Sequence, residues 1–177
     1  MAGPIISDQK VKTDKKRITI DPVTRLEGHG KIEIFLDENG NCKNAYWQIP
    51  ELRGFERFCV GRHVSELPVL TNRLCGVCPA AHHIASARTL DAVFDAEPTE
   101  TAHKLRELFY MGQYMHSHIA HFYALAAPDF VLGPAAPYEK RNVLGVVEAV
   151  GVPIGAEVIK HRHYGQKIQE IIGADRH

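Results

Sequence analysis

The stretch Cys75-Gly76-Val77-Cys78-Pro79-Ala80-Ala81-His82-His83 constrains this chain more than any other, because it sets paired thiols and paired imidazoles at the mouth of a helix. Pro79 suits the first turn of that helix, where its missing N–H would have no partner anyway. The pattern predicts a helix from Pro79 to about Ala96. A Cys-x-x-Cys pair can hold one ion, but a closed structural zinc site takes four ligands. His82 and His83 cannot both complete it, since adjacent side chains on a helix point about 100° apart. A thioredoxin-like dithiol needs a strand-to-helix junction within a βαβ unit, and the residues before Asn72 do not read as one. The third reading is one side of a catalytic metal centre whose other ligands lie elsewhere. Arg73 stands two residues before Cys75; a guanidinium there lowers thiolate pKa values and donates to anionic groups at a metal. His82 follows Cys78 by one helical turn, a spacing from which an imidazole N–H reaches a ligating sulfur.

Composition narrows the partners. Lys plus Arg and Asp plus Glu both number 21 in 177 residues, so no basic field invites nucleic acid and no acidic tail is present. A chain of this length can bury roughly 70% of its unfolded surface without disulfides. Its four cysteines are too few for a secreted disulfide framework and are read as reduced thiols, with the isolated Cys42 and Cys59 read as small buried residues. The N-terminal stretch places a short apolar patch before its lysines, the reverse of a secretory signal, and no apolar run approaches ~18 residues. A cytoplasmic protein without a membrane segment is expected.

Along the chain, the pattern predicts an α+β fold: a small N-terminal antiparallel β-sheet followed by a mainly helical bundle. Residues 1–16 read as a flexible polar arm and 17–177 as one domain. Strands are expected at 17–21, 30–37 and 42–49, with Asn39-Gly40 as the hairpin turn. Helices follow: a short one in 54–62, the one opened by Pro79, and a long one from Thr99 toward Pro128. On the last, Leu105, Leu108, Met115, Ile119 and Phe122 mark an apolar stripe. A final pair covers Asn142–Gly151 and Pro153–Gly173, with Gly173 as a C-terminal cap. On the long helix, His118 and His121 share a face and His116 lies off to one side; such histidines are mostly structural, the alternative being a role beside a partner's redox cluster.

Three motifs together carry a resemblance. Arg73-Leu74-Cys75-Gly76-Val77-Cys78, with His82 after it, resembles the N-terminal signature of nickel–iron hydrogenase large subunits. Asp21-Pro22-Val23-Thr24-Arg25-Leu26-Glu27-Gly28-His29-Gly30 and Arg53-Gly54-Phe55-Glu56 resemble that family's first and second segments, in the same order. The likeness runs from about Arg17 to the end, and its wording is most like the cytoplasmic, multi-subunit, viologen-reducing group linked to heterodisulfide reductase.

The resemblance implies that Cys75 is a terminal nickel ligand, that Cys78 bridges nickel and iron, and that the iron carries carbon monoxide and cyanide, which Arg73 helps to accommodate. It implies that His82 hydrogen-bonds the bridging sulfur, that Glu27 relays protons between a nickel thiolate and water, and that Glu56 binds magnesium. The implied partner is an iron–sulfur small subunit, with further electron-transfer subunits possible, because no cluster ligands appear in this chain. The family also carries a second Cys-x-x-Cys, which these 177 residues lack. The C-terminal half of a large subunit, or a separate chain carrying it, is therefore expected to complete the site, and this chain alone is expected to be inactive. The alternative is a non-catalytic scaffold in a hydrogenase-like or complex I-like assembly; the complex I relative lacks the paired thiols, and their presence here argues against it.

Overall fold

Alternating β-branched and polar residues favour pleated pairing, and Arg17-Ile18-Thr19-Ile20 and Lys31-Ile32-Glu33-Ile34 supply that alternation. The computed structural model of the chain describes residues 10–14 and 16–173. Strands β1 (Lys10–Asp14), β2 (Arg17–Asp21), β3 (Lys31–Leu36) and β4 (Cys42–Gln48) form one antiparallel sheet in the order β1-β2-β3-β4. The three expected strands are present. Lys10–Asp14, within the stretch read as an arm, pair along β2 with Lys10 opposite Asp21; residues 1–9, Lys15 and 174–177 lie outside the described residues.

The isoleucines fix the register, Ile18 opposite Ile34 and Ile20 opposite Ile32. At the β3–β4 turn the Asp37 carboxylate accepts from the N–H groups of Asn39 (2.9 Å) and Asn41 (2.8 Å), while Gly40 takes φ +84°. Those backbone donors hold the Asp37 carboxyl below its usual pKa. Cys42 opens the edge strand β4 and is exposed rather than buried, because both faces of that strand are open; Cys59 is half-buried.

Among the described residues seven helices follow: α1 (Phe55–Cys59), α2 (Leu67–Thr71), α3 (Pro79–Val93), α4 (Glu100–Ala120), α5 (Ala127–Val131), α6 (Val143–Val150) and α7 (Val152–Gly173). Thr99 caps α4, its hydroxyl oxygen accepting from the Ala102 N–H at 3.3 Å. Asn142 caps α6 through Leu144 N–H (2.9 Å) and Gly145 N–H (3.1 Å). Between α4 and α5, residues His121–Ala126 form a π-helical turn.

The chain divides into two compact units: the part up to Arg53 with Ala124–Val146, and Gly54–Tyr123 with the part from Val147. In the first, Arg25 donates to the Leu125 carbonyl at 3.1 Å and pairs with Asp129 at 2.8 Å, tying the β2–β3 connection to α5.

In the second unit, α4 packs on α7 through a face that the hydrophobic pattern does not mark. Phe109, Gly112, Gln113 and His116 are the buried residues of α4, whereas Leu105, Leu108 and Phe122 of the expected stripe stand 47–49% exposed. The reason is backbone proximity. A Cβ on Gly112 would lie 2.8 Å from the Gly165 carbonyl oxygen, and one on Gly165 would lie 2.7 Å from that of Gly112. Helices this close leave room between them for only a few side chains, and the glycines that permit it are invisible to an apolar count.

Candidate metal centre

Two short 3-10 turns and α2 lead the chain from α1 to the sulfur-bearing loop, the second turn being Asn72–Leu74. Cys75 then takes an extended conformation (φ −136°, ψ 127°) and ends it, and Cys78 stands at the N-cap of α3 with Pro79 in the first turn. The loop folds back so that the Cys78 N–H donates to Cys75 Sγ at 3.0 Å, with 5.3 Å between the two Cα atoms. Such an N–H···S contact is how a Cys-x-x-Cys turn aims both sulfurs at one point.

The sulfurs of Cys75 and Cys78 are joined as a disulfide in this structure, not the reduced thiols that composition suggests. A turn that converges two sulfurs on one point satisfies either an S–S bond or a shared ion, and only the reduced pair can donate as thiolates. His82 completes the group: its ring and both sulfurs lie within 4.8 Å of one another, all half-buried. The neighbouring His83 points instead toward the Phe109 ring, 6.4 Å between centroids, as the angle between adjacent helical side chains requires. Two thiolates with an imidazole beside them suit a soft transition metal such as nickel or iron, and two sulfurs leave any bimetallic site to be completed from outside these residues. The residues present fit one side of such a site.

Arg73 stands exposed on the 3-10 turn ahead of Cys75. Glu56 is exposed in the first turn of α1, where it offers one carboxylate toward a hard cation that takes six oxygens. Glu27 belongs to the sheet-containing unit, on a connection whose backbone is left-handed at Arg25 (φ 51°) and Gly28 (φ 76°). Beside it, His29 contacts Glu51, and a Cβ at Gly28 would come within 3.7 Å of the same Glu51 carboxylate.

Of the helix histidines, His118 donates from Nδ1 to the Tyr114 carbonyl at 2.9 Å and His121 is exposed, while His116, off to one side in the sequence pattern, is 2% exposed in the α4–α7 contact. Burial pushes the His116 pKa below the ordinary histidine value, with Arg162 adding to the effect. Asn72 and Gln113, each 4% exposed, are buried polar residues that no motif marks. The signal that marks Gln113 and His116 is their i and i+3 spacing on the face that carries Gly112.

The nickel-dependent hydrogenase family matches residues 53–175, and a HoxL-like family matches residues 17–52. A vhu subunit of the F420-non-reducing hydrogenase of Methanocaldococcus jannaschii is 50% identical over 157 residues, covering 89% of this chain and 37% of that protein. The beta subunit of the NAD-reducing hydrogenase HoxS of Cupriavidus necator is 36% identical over 169 residues, covering 92% of this chain and 34% of that one. A crystal structure of an NAD+-reducing nickel–iron hydrogenase in the H2-reduced state superposes with a TM-score of 0.80 at 42% identity, over 93% of this chain and 36% of that one. The chain thus spans about a third of the length of the relatives it matches.

Proposed function

The chain belongs to the nickel-dependent hydrogenase family, as the N-terminal part of a large subunit, and from that premise we propose that it supplies one half of a nickel–iron centre that splits H2 reversibly into protons and electrons. The observation that carries this reading is the convergence of Cys75, Cys78 and His82 at the N-terminus of α3.

In this reading Cys75 and Cys78 would hold the nickel and iron through their thiolates, Cys75 on the nickel and Cys78 shared with the iron. The second Cys-x-x-Cys, not among these 177 residues, comes from another stretch of large subunit or a separate chain, and without it this half is inactive. When bound, the centre, with carbon monoxide and cyanide on its iron, supplies the Lewis acidity and redox change that the reaction needs. The protein's own tasks are protonic and positional. A thiolate is the base for the proton released in heterolytic cleavage, and Glu27 carries that proton to water. His82 donates its ring N–H to the Cys78 sulfur, lowering the sulfur's electron density and fixing its direction. Arg73 would donate toward the anionic cyanide on the iron, and Glu56 would give one oxygen to magnesium.

Electrons leave through a small iron–sulfur subunit, then through further electron-transfer subunits. The relatives' names, as subunits of F420-non-reducing and NAD-reducing enzymes, support a multi-subunit assembly, which in this reading is cytoplasmic. No described helix is long and apolar enough to cross a membrane. Neighbouring open apolar side chains also support a larger assembly: Leu105, Leu108 and Met111, three apart along α4, are 47%, 49% and 46% exposed.

The test is hydrogen–deuterium exchange by the assembled complex. Exchange lost in Cys75→Ser and Cys78→Ser, with the same subunits present, is the expected result. Undiminished exchange would sink the ligand assignment.

A further inference from the structure

One peptide unit in the sulfur turn is held at both ends. The Val77 carbonyl and the Cys78 N–H belong to the same planar peptide. Its N–H donates to Cys75 Sγ at 3.0 Å, and its carbonyl oxygen accepts from Gln113 Nε2 at 3.1 Å. Gln113 reaches it from the middle of α4, 36 residues away in sequence.

The orientation of the Gln113 amide follows from donor and acceptor chemistry. A carbonyl oxygen can only accept, so the Gln113 NH2 group faces Val77 and its Oε1 faces the opposite way. There Oε1 lies 3.2 Å from His116 Nε2 and 3.5 Å from Gln169 Nε2 on α7. An amide oxygen accepts too, so both neighbours donate, and His116 is the neutral tautomer with its proton on Nε2. Burial favours that neutral form, since it pushes the imidazole pKa down. Gln113, His116 and Gln169 are 4%, 2% and 0% exposed, so the side of the amide that faces α7 is shielded from bulk solvent.

We propose that Gln113 is a positioning residue for the sulfur turn: by clamping the Val77–Cys78 peptide it sets the direction and strength of the N–H···S bond to Cys75. This rests on the reading of Cys75 and Cys78 as metal ligands. Two consequences follow from the geometry. A donor on the carbonyl oxygen polarises the peptide and strengthens its N–H as a donor, as in any hydrogen-bonded chain. The Cys75 sulfur then gives less electron density to whatever it binds. The clamp also prevents the peptide from rotating, which would swing Cys78 out of register with Cys75.

The experiment uses the purified multi-subunit complex carrying Gln113→Glu, which keeps the size and the acceptor facing His116 but removes the donor facing Val77. Gln113→Met, uncharged and similar in length, keeps the question answerable should a buried carboxylate prevent assembly. The control is Asp91→Asn, which weakens the ion pair of Arg106 on α4 with Asp91 at the far end of α3 and so perturbs the same helix pair without touching the turn. Readouts are nickel and iron content, the infrared stretching bands of the diatomic ligands on iron, and hydrogen–deuterium exchange. The expected result is nickel-bearing Gln113 variants whose bands shift outside the wild-type linewidth and whose exchange falls about 10–100-fold, the range for outer partners of metal ligands, with wild-type bands in Asp91→Asn. Nickel-loaded Gln113 variants with wild-type bands and exchange would overturn the clamp alone. A wild-type complex devoid of nickel, with all its subunits present, would overturn the ligand reading beneath it.

Discussion

Around Cys75, Cys78 and His82 the constraints are mostly local: a 3-10 turn, an N–H···S contact across three residues, a proline in the first helical turn and an imidazole one turn on. Around Glu27 they are remote. Arg25 holds a left-handed conformation with φ 51°, and its guanidinium binds the Leu125 carbonyl 100 residues later and the Asp129 carboxylate. A non-glycine residue in that region costs on the order of 1–3 kcal/mol and persists only where its surroundings enforce it. The difference teaches that this chain holds its sulfurs mainly by turn chemistry, with Gln113 as the tertiary contact on the turn, and the segment around Glu27 by tertiary ion pairing, so the two should respond to different perturbations.

The largest expected effect separates the two regions by metal content. Cys75→Ser or Cys78→Ser should abolish hydrogen turnover, assayed by H2-dependent dye reduction of the complex. By contrast, Glu27→Gln should keep nickel and iron and slow hydrogen–deuterium exchange by about 10²–10⁴-fold, the usual contribution of a positioned proton-transfer group. Exchange at the wild-type rate in that variant would remove Glu27 from the proton path.

Smaller effects bear on what holds each region. Gly112→Ala drives a methyl against the Gly165 carbonyl, so the helices must separate; overpacking of this kind costs about 1–3 kcal/mol, read as a lower denaturation midpoint of the complex. Asp129→Asn removes the charge partner of Arg25 on a partly exposed pair and should cost about 1 kcal/mol, with limited proteolysis increasing between Val23 and Gly30 and no change near Cys75. Equal loosening of both regions would contradict their independence.

The smallest effect is one of pH. His116 is neutral when folded and its pKa lies below 6.5, so its contribution to stability is complete above about pH 6.5 and is lost as the pH falls, because the unfolded chain then binds the proton first. Acidification from pH 7 to 5 should therefore lower the unfolding midpoint more in the wild type than in His116→Gln.

What can be read from the sequence follows the same division. The helix at Pro79, the Thr99 cap and the Asn39-Gly40 turn depend on residues within a few positions of one another, and all are visible in one window. So is the choice between His82 and His83, which is a matter of helical angle. The buried face of α4 is not visible, because Gly112, Gln113 and His116 carry no apolar signal and acquire their meaning only from Gly165 and Gln169 on α7. Leu105 and Leu108, which do carry that signal, lie about half exposed. Cys42 departs from expectation for a related reason: cysteine is commonly a buried residue, but β4 is an edge strand with both faces open. Pairing of Arg25 with Asp129 needs contacts that no local pattern contains.

The central claim is that Cys75 and Cys78 are two of the thiolates of a nickel–iron centre completed by residues beyond these 177. Nickel and iron determination on the purified complex, wild type beside Cys75→Ser and Cys78→Ser, with mass spectrometry of every polypeptide present, tests it most directly. The account requires nickel in the wild type, a polypeptide bearing a second Cys-x-x-Cys, and loss of nickel from both variants. Nickel retained at wild-type level in either variant, or absent from a wild-type complex whose subunits are all present, would contradict it.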